Sequence, residues 1–420
     1  MGYNADASIS GEETVYEFYT EASIPLAEGA AWAEYLGLEV GGRYSDYDHA
    51  GSVDTWKIGA EWQLPVPIRF RTMLQRSVRA PTLQESFTEQ GLGVWSFSGN
   101  NGNGDPCSAG NDPVGSGFAE HCIATGLPAN ELGFWTATPA FPTDYLFGGN
   151  PEVEPESADT ITAGVVFDID WLQGMQVSID YFSLEVEDTI GDLDASLACF
   201  DLANTTQQFC SNIQRDSLSN NVDRVVETTI NRGLFTAEGI DTQVSLEMDL
   251  PGGLAVGDSS ASLGVDMIWT HTLENSYQET TFGTTFECEG SWGFPCRFAR
   301  WTMTYPENRI NTDFSYFSGD FNARLSWRWI EGTTNGLVKY KDQIGLGWAE
   351  IGIVDVPSKS YFDLNFAYRI SDNIDVGLSI VNVGDTKPVL MGDYAVGANT
   401  DPGVYDVFGR AYTLSLSLQY

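Results

Sequence analysis

Side-chain polarity alternates from one residue to the next along much of this chain, and this alternation most narrows the folds open to it. In residues 412–420, tyrosine or leucine occupies every second position, and small polar side chains or Gln419 occupy the positions between. Successive side chains of a strand point to opposite faces, so the pattern predicts one apolar and one polar face. An apolar face with aromatic residues at both ends is typical of a strand that faces lipid.

The same pattern recurs along the chain and predicts about thirteen strands, most of them near the length of a tilted membrane strand. The other predicted strands are 16–24, 36–44, 56–62, 68–77, 161–169, 177–186, 240–250, 263–269, 310–316, 321–329, 362–370 and 374–380. Thr72 and Arg76 interrupt one of them. Another changes parity near Tyr181 and Phe182, which predicts a β-bulge there.

Composition agrees with a folded all-β protein. Charged residues make up 19% and apolar residues 42% of the 420 positions, which is too apolar for disorder. No stretch approaches the roughly 18 uninterrupted apolar residues of a membrane-spanning helix. The pattern continues without a linker, so we predict a single domain over residues 1–420, an antiparallel transmembrane β-barrel.

The connections between the predicted strands alternate in length. The short ones are 25–32, 64–67, 171–174, 251–259, 318–320 and 371–373; the long ones are 79–156, 188–234, 271–308, 331–358 and 384–408, with 46–52 a short member of the second set. Outer-membrane barrels have short periplasmic turns and longer external loops, so the long set is predicted to be external. Bacterial barrels normally have even strand numbers, so the odd count predicts that the chain forms part of a larger barrel.

The six cysteines fall into three close pairs, each inside one predicted external loop. They are Cys107 with Cys122, Cys199 with Cys210, and Cys288 with Cys296. Local disulfides suit an oxidising compartment, although other pairings remain possible. Metal binding is the alternative, but no pair has the two-residue spacing of a zinc knuckle.

Four short motifs carry a resemblance to a known family. They are RAPTLQE at 79–85, NPEVEPES at 150–157, VNVGD at 381–385, and GR at 409–410 before the final strand. Their order and spacing resemble the barrel of TonB-dependent outer-membrane receptors. The resemblance covers essentially the whole chain and implies roughly strands ten to twenty-two of a 22-stranded barrel. Such receptors also carry a signal peptide, a TonB box and a plug, none of which is recognisable here, so a partial barrel is expected.

The resemblance implies a function in uptake across the outer membrane of a Gram-negative bacterium. Family members bind a scarce solute, such as a ferric siderophore, cobalamin, haem or an oligosaccharide, and release it inward when TonB pulls on the plug. The implied partners are outer-membrane lipid, the small-molecule or oligosaccharide ligand, and the TonB–ExbB–ExbD system acting through a plug. A passive porin or adhesin-like barrel and a soluble or surface-exposed β-sandwich are the alternatives.

Aromatic residues in the predicted external loops are candidates for ligand contact. Aromatic rings can stack on sugar rings or on catechols; the candidates are Trp95, Phe97, Trp135, Tyr145 and Trp292. The alternative is that they form the core of the loops themselves, because large compact loops are packed by their own side chains.

Charges on the predicted inner face are candidates for contact with a plug or for ion pairs. They are Arg309, Arg324, Arg328, Arg369, Asp241 and Asp363. The net charge of −39 makes nucleic acid a poor partner. Residues 100–105 could bind calcium, but they lack the regular acidic spacing of a calcium loop and favour a flexible turn.

No catalytic or metal-binding set is recognisable in the sequence. His49, His121 and His271 do not converge on one predicted position, and solvated histidines are the favoured interpretation. No phosphate loop or serine–histidine–aspartate order is consistent with the predicted strands. An outer-membrane esterase would need a serine and a histidine meeting at the barrel mouth. We therefore predict no enzymatic activity, no cofactor and no bound metal.

Overall fold

The computed structural model describes residues 9–97, 104–139, 141–172, 174–256, 260–298, 301–340, 353–392 and 399–418. The described strands, in chain order, are β1 (Val15–Ala30), β2 (Ala33–Tyr47), β3 (Gly51–Gln63), β4 (Ile68–Arg79), β5 (Gly91–Ser96), β6 (Pro142–Gly148), β7 (Glu156–Ile169), β8 (Met175–Glu187), β9 (Ile190–Asp192), β10 (Ile213–Arg215), β11 (Val222–Asn231), β12 (Leu234–Leu250), β13 (Ala261–Gln278), β14 (Thr285–Glu287), β15 (Ser291–Phe298), β16 (Trp301–Tyr305), β17 (Asn308–Ser318), β18 (Phe321–Ile330), β19 (Thr333–Asn335), β20 (Asp355–Val356), β21 (Lys359–Ser371), β22 (Ile374–Val381) and β23 (Ala411–Leu418). The α-helices are α1 (Leu83–Phe87), α2 (Ala119–Ala124), α3 (Ala195–Cys199) and α4 (Gly336–Lys339).

Thirteen strands form one antiparallel sheet in which each strand pairs with the next one along the path. The order is β1-β2-β3-β4-β7-β8-β12-β13-β17-β18-β21-β22-β23, and β14 adds to the side of β13. The prediction of an all-β antiparallel fold with about thirteen main strands is confirmed. Within the described residues β1 and β23 are the two edges of this sheet, and because thirteen is odd they run in the same direction.

The strand registers place the predicted apolar positions on one continuous face. One row of facing residues runs across nine strands through Leu36, Trp62, Phe70, Val165, Ile179, Thr242, Trp269, Ile310 and Trp329. Many large side chains on this face are open to the surroundings: Phe18 is 73%, Ile161 47% and Leu414 78% exposed. An apolar face of this extent is not typical of a protein surrounded by water.

The predicted bulge near Tyr181 and Phe182 is wrong. β8 stays in unbroken register with both β7 and β12, so Phe182 turns to the polar face. Gly239 lies opposite Phe182, and a Cβ there would lie 2.6 Å from the Phe182 Cζ atom. The missing side chain makes room for the ring. The register shift lies one pairing further on, between β12 and β13 next to Gly239.

The first predicted turn, 25–32, is also wrong, because β1 continues to Ala30 and β2 begins at Ala33. Pro25 lies within β1 opposite Gly37, and the register shifts just after it. Proline lacks an N–H group and is tolerated on an edge strand, where one side of the backbone has no neighbour. At the other end of the sheet, positions 419–420 of the predicted last strand lie outside the described residues.

A glycine on the polar face lets an ion pair cross a strand. Arg71 on β4 donates two hydrogen bonds to Asp180 on β8, from Nε to Oδ1 at 2.8 Å and from Nη2 to Oδ2 at 2.7 Å. Gly164 of β7 lies between them, facing Arg71 on one side and Asp180 on the other. A Cβ at Gly164 would lie 1.9 Å from Asp180 Oδ1, so any other residue there displaces the carboxylate.

We expect Gly164→Ala to break this pair and to lower the free energy of unfolding by about 1–3 kcal/mol, the usual effect of overpacking. Gly264→Ala is the matched control, because it lies on the polar face of β13 and its added Cβ would meet its nearest neighbour at an ordinary 3.6 Å. Urea unfolding of both variants in lipid vesicles measures the difference. Equal midpoints for the two variants would contradict the account.

Candidate functional site at the long-loop end

The long loops fold into ordered structure at one end of the sheet. Loops 80–155 and 188–233, here called the first loop unit, form a sheet in the order β10-β11-β6-β5, with β9 paired to β11. β6 and β11 come from different loops and pair in parallel. Loops 279–307 and 331–358, the second loop unit, form another sheet in the order β16-β15-β19-β20. The loops are therefore joined in pairs.

All three predicted cysteine pairs are disulfide-bonded, which confirms the predicted pairing. The bridges Cys107–Cys122 and Cys199–Cys210 come from the two loops of the first loop unit and share one buried core. Their neighbours in this core include Leu127, Leu193, Phe200, Ile213 and Val225. Cys288–Cys296 lies in a separate core with Phe286 and Tyr340.

A buried ion pair also joins the two loops of the first loop unit. Arg215 Nη1 lies 2.6 Å from Asp105 Oδ2, and Nη2 lies 3.0 Å from Oδ1. The two side chains are only 2% and 4% exposed. The guanidinium also lies over the Trp135 ring, 5.2 Å from its centroid, and donates to the Thr125 hydroxyl at 2.8 Å. Each of its three nitrogen atoms thus donates a hydrogen bond within the protein.

Most of the aromatic residues proposed from sequence as ligand contacts pack inside the loops. Trp135 is 8% exposed and donates from Nε1 to the Ser219 carbonyl at 2.9 Å. Phe97 and Tyr145 pack against the same core. Trp292 is 3% exposed in a third core with Ile330 and Tyr361. The backbone of Trp95 lies on β5, while its side chain is outside the described part of the chain.

Other apolar side chains face outward from the loops. Phe134 is 83%, Leu218 93% and Phe408 95% exposed. Trp135 connects two of them, because it follows Phe134 in sequence and binds Ser219, the neighbour of Leu218. The sequence contains no periodic signal in these loops, so it cannot separate an exposed aromatic from a buried one.

The first two sequence motifs meet at the base of the first loop unit. Arg79 donates from Nε to Glu156 Oε1 at 2.6 Å and from Nη1 to Glu85 Oε2 at 2.9 Å. The Thr82 hydroxyl caps α1 by accepting from the Glu85 backbone N–H, and the Thr82 N–H donates to the Glu85 carboxylate in return. The backbone N–H of Asn150 donates to the Glu85 carbonyl at 2.9 Å. These motifs therefore clamp the two ends of the loop 80–155.

The last two motifs form a second clamp, between β22 and β23. Asn382 is fully buried and donates from its side chain to Asp406 at 3.0 Å. Asp385 accepts a hydrogen bond from the Arg410 backbone N–H at 3.1 Å. Gly409 has φ of 75°, and a Cβ there would lie 2.9 Å from Asp385 Oδ1, so glycine fits this position for two reasons.

The charges proposed as plug contacts or ion pairs lie along the polar face with local partners. Arg324 donates to Ser315 at 3.3 Å, Arg369 lies 3.5 Å from Asp375, and the Arg328 guanidinium lies over the Tyr361 ring. Asp241 accepts from Thr270 at 2.6 Å, and Asp363 accepts from the Asn382 backbone at 2.6 Å. Arg309 is exposed. No ion pair between these arginines and Asp241 or Asp363 occurs in the described ranges.

A charged hollow of about 400 Å³ opens between the first four strands of the sheet. Lys57 lies between Glu21 and Glu39, with 2.5 Å from its Nζ to Glu21 Oε1. Arg43 lies 3.7 Å from Glu17, at the same wall. Acidic and basic side chains alternate along this wall. Such a surface can form hydrogen bonds and ion pairs with a polar partner but has little apolar area for an apolar one.

One histidine differs from its prediction. His121 is 5% exposed, so the interpretation of three solvated histidines is wrong for this residue. Its Nε2 atom lies 2.9 Å from the Asn204 carbonyl, and its ring packs edge-on against Phe118. α2 carries it into the core beside Cys122, a placement that depends on the contact between two loops and has no local signal.

A buried carboxyl group lies where the first loop unit meets the end of β13. Glu279 accepts a hydrogen bond from the Asp194 backbone at 3.1 Å, and its Oε2 lies 3.5 Å from Arg232 Nη1. Burial raises the pKa of Glu279 from 4.5 to about 8; Arg232 opposes this shift and Glu227 adds to it. The raised pKa means that the folded protein holds a proton that the unfolded chain releases above about pH 4.5.

We therefore expect the junction to lose stability as the pH rises from about 5 to about 9, because ionisation becomes progressively more favourable in the unfolded state. Glu279→Gln keeps the shape without the charge and should flatten this dependence. Hydrogen exchange of the segment around Asp194 at several pH values measures the effect. Glu287→Gln, at an exposed position on β14, is the control and should leave the pH dependence unchanged.

Comparison with known proteins identifies the architecture. Residues 2–383 match the family described as TonB dependent receptor-like, beta-barrel. No curated protein matches the chain. Among the described residues, no helix is both long and apolar enough to cross a membrane.

Solved structures with a similar fold include siderophore receptors and an iron transporter. A mutant of the ferric enterobactin receptor of Pseudomonas aeruginosa superposes with a TM-score of 0.61 at 15% identity over 97% of this chain and 45% of the receptor. The siderophore receptor PirA of Acinetobacter baumannii gives 0.57 at 14% identity, over 97% of this chain and 46% of the receptor. The FrpB iron transporter of Neisseria meningitidis gives 0.50 at 13% identity, over 97% and 46%. The chain thus spans slightly under half the length of these proteins.

Proposed function

Because this chain belongs to the TonB-dependent receptor-like β-barrel family, we propose that it forms part of the wall of an active importer. The membrane is the outer membrane of a Gram-negative bacterium, where barrels of this family reside. Outer-membrane lipid contacts the apolar face, and the long loops receive a small solute from outside. The TonB–ExbB–ExbD system supplies the energy through a plug domain that contacts the polar face.

The continuous exposed apolar face carries this proposal. All thirteen strands contribute to it, while the opposite face carries the crossing pair of Arg71 and Asp180. Only lipid offers a low-energy surrounding for so many exposed apolar side chains, and a polar interior suits passage or plugging. A soluble β-sandwich would bury such a face against a second sheet.

The two free edges of the sheet support placement in a larger barrel. Lipid does not tolerate unpaired backbone groups, so β1 and β23 need neighbours. They run in the same direction, and antiparallel closure therefore requires an odd number of strands between them. Outer-membrane transporters of 22 strands would leave nine after the thirteen here, which satisfies this condition. We propose that nine further strands complete the barrel.

A ferric siderophore is the cargo that we propose. The solved structures with this fold include receptors named for ferric enterobactin and for siderophores, and one named as an iron transporter. The exposed Phe134 and Phe408 could contact the aromatic or apolar parts of such a ligand. Oligosaccharide or cobalamin uptake would use the same wall with a different loop surface.

Uptake measurements in the host bacterium test this function. We expect deletion of the gene to lower accumulation of iron-55 from one or more ferric siderophores. The difference in uptake between the parent and the deletion strain should vanish when the proton-motive force is dissipated. If the deletion leaves iron uptake unchanged but abolishes oligosaccharide or cobalamin uptake, the cargo is that solute and not a ferric siderophore. An energy-independent loss of small-solute diffusion would favour the passive porin instead.

The membrane placement has its own test on two neighbouring residues of β21, a strand with a partner on each side. Leu364 lies on the apolar face of β21 and Asn365 on the polar face, each in register with β18. We expect a bilayer-dissolved probe to label a cysteine at 364 and to spare one at 365. The reverse result would contradict the assignment of the two faces.

A further inference from the structure

Three metal-ligating side chains from separate parts of the chain converge at the long-loop end, away from the loop cores. Glu13 precedes β1, whereas Asp48 and His49 lie between β2 and β3. His49 Nδ1 lies 3.0 Å from Glu13 Oε2 and 3.0 Å from Asp48 Oδ1. The three ligand atoms all lie within 4.8 Å of one another.

The spacing of these atoms suits a tetrahedral metal ion. Zinc binds histidine nitrogen and carboxylate oxygen at about 2.0–2.1 Å, which places neighbouring ligand atoms about 3.3 Å apart. A movement of a few tenths of an ångström would bring both His49 distances to that value, and rotation of the Glu13 and Asp48 carboxylates, whose ligand oxygens lie within 4.8 Å of each other, would set the third. A proton accounts for the arrangement less well, because Nδ1 can donate one proton in a straight hydrogen bond to only one of two carboxylates.

The ligands are held in place by neighbouring backbone and side chains. The Thr14 N–H donates to Asp48 Oδ1 at 2.9 Å, and the His49 N–H approaches Glu13 Oε1 at 3.4 Å. The His49 ring packs edge-on against Phe87 of α1, with 5.3 Å between ring centroids. Residues that contact the ligands of a metal site fix the orientation of those ligands, and the contacts described above would act in this way.

We propose that Glu13, Asp48 and His49 bind one divalent transition-metal ion, for which zinc is the best match. Two carboxylates and one neutral imidazole provide two negative charges and a nitrogen ligand, a set that favours zinc over magnesium or calcium. Water completes the fourth position, because the side chains of Asp48 and His49 are 46% exposed. The ion ties the segment before β1 to the β2–β3 turn. This site does not depend on the proposed transport function.

Metal titration of the purified chain in detergent tests the site without any transport readout. After removal of metal by a chelator, we expect one cobalt ion per chain, with the visible absorption of a four-coordinate site, and displacement of cobalt by zinc. His49→Ala should lower the affinity at least about tenfold, since even outer contacts of a metal site have effects of that size. Glu13→Gln should lower it as well and keeps the side-chain shape.

His271→Ala is the matched control. His271 also lies at the long-loop end of the sheet, 3.8 Å from Glu307, but it lacks a second carboxylate in the described contacts and should leave binding unchanged. Circular dichroism before titration verifies that each variant is folded. The proposal would be overturned if the unsubstituted chain bound no metal, or if the His49 and Glu13 variants bound it as tightly as the unsubstituted chain. His49 would then be a protonated partner of the two carboxylates.

Discussion

Replacing Arg215 with alanine is expected to unfold the first loop unit while leaving the main sheet intact. The substitution leaves Asp105, only 4% exposed, without its cationic partner. It also removes the hydrogen bond to Thr125 and the contact with the Trp135 ring. Breaking a buried ion pair in this way lowers stability by about 3–5 kcal/mol.

Hydrogen exchange followed by mass spectrometry measures this effect in each segment separately. We expect the amides of β6 and β11 to exchange about a hundredfold to a few thousandfold faster, while those of β12 and β13 keep their protection. Arg224→Ala is the control, because Arg224 lies exposed on β11 and pairs across from Gln214, the neighbour of Arg215. Arg224→Ala should change the free energy of unfolding of the first loop unit by no more than about 0.5 kcal/mol.

A double variant separates the loss of a charge from the loss of packing. Arg215→Met with Asp105→Leu removes both charges and keeps apolar volume in their place. Such replacements are often neutral, so the double variant should recover much of the lost protection. If it is as unstable as Arg215→Ala, the ion pair is not the source of the effect.

The main sheet could be predicted from sequence because one physical requirement acts on every strand. An apolar face and a polar face impose a period of two, and this period is readable in each strand without knowledge of its neighbours. The alternation did not predict the structure where a residue of the neighbouring strand leaves room for a large side chain on the polar face. Phe182 breaks the alternation without a bulge because Gly239 accommodates its ring, and that relation appears only in the register.

The loop structure could not be predicted in the same way, because its contacts join distant parts of the chain. β6 and β11 pair in parallel although they come from different loops, and β6 even begins with Pro142. Asp105 and Arg215 are separated by 110 positions, and Glu13 and His49 by 36. Cysteine was the exception, because its pairs are close in sequence and its chemistry leaves few alternatives.

The same core explains why two disulfides should act together. Cys107–Cys122 closes 15 residues of one loop and Cys199–Cys210 closes 11 residues of the other, and both lie fully buried in one core. A bridge across about 15 residues stabilises by about 3 kcal/mol in the chain-entropy account. Removing either one loosens the packing surface of the other.

We therefore expect the variant with all four of these cysteines changed to serine to lose protection of β6 and β11 almost completely. Each two-serine variant should retain part of it, and the combined loss should differ from the sum because the bridges share a core. Hydrogen exchange of the three variants measures this coupling.

Replacing Cys288 and Cys296 with serine is the control for a general effect of losing a bridge. This pair lies in the second loop unit, in the core of Phe286 and Tyr340, to which the first loop unit contributes Leu197. We expect its removal to loosen that core and to leave β6 and β11 protected. Simultaneous loss of protection in both cores from either removal would show that the loops unfold as one body. The separation of the two loop units would then be wrong, and the effects of Arg215 and Glu279 would have to be reassigned to the whole long-loop end.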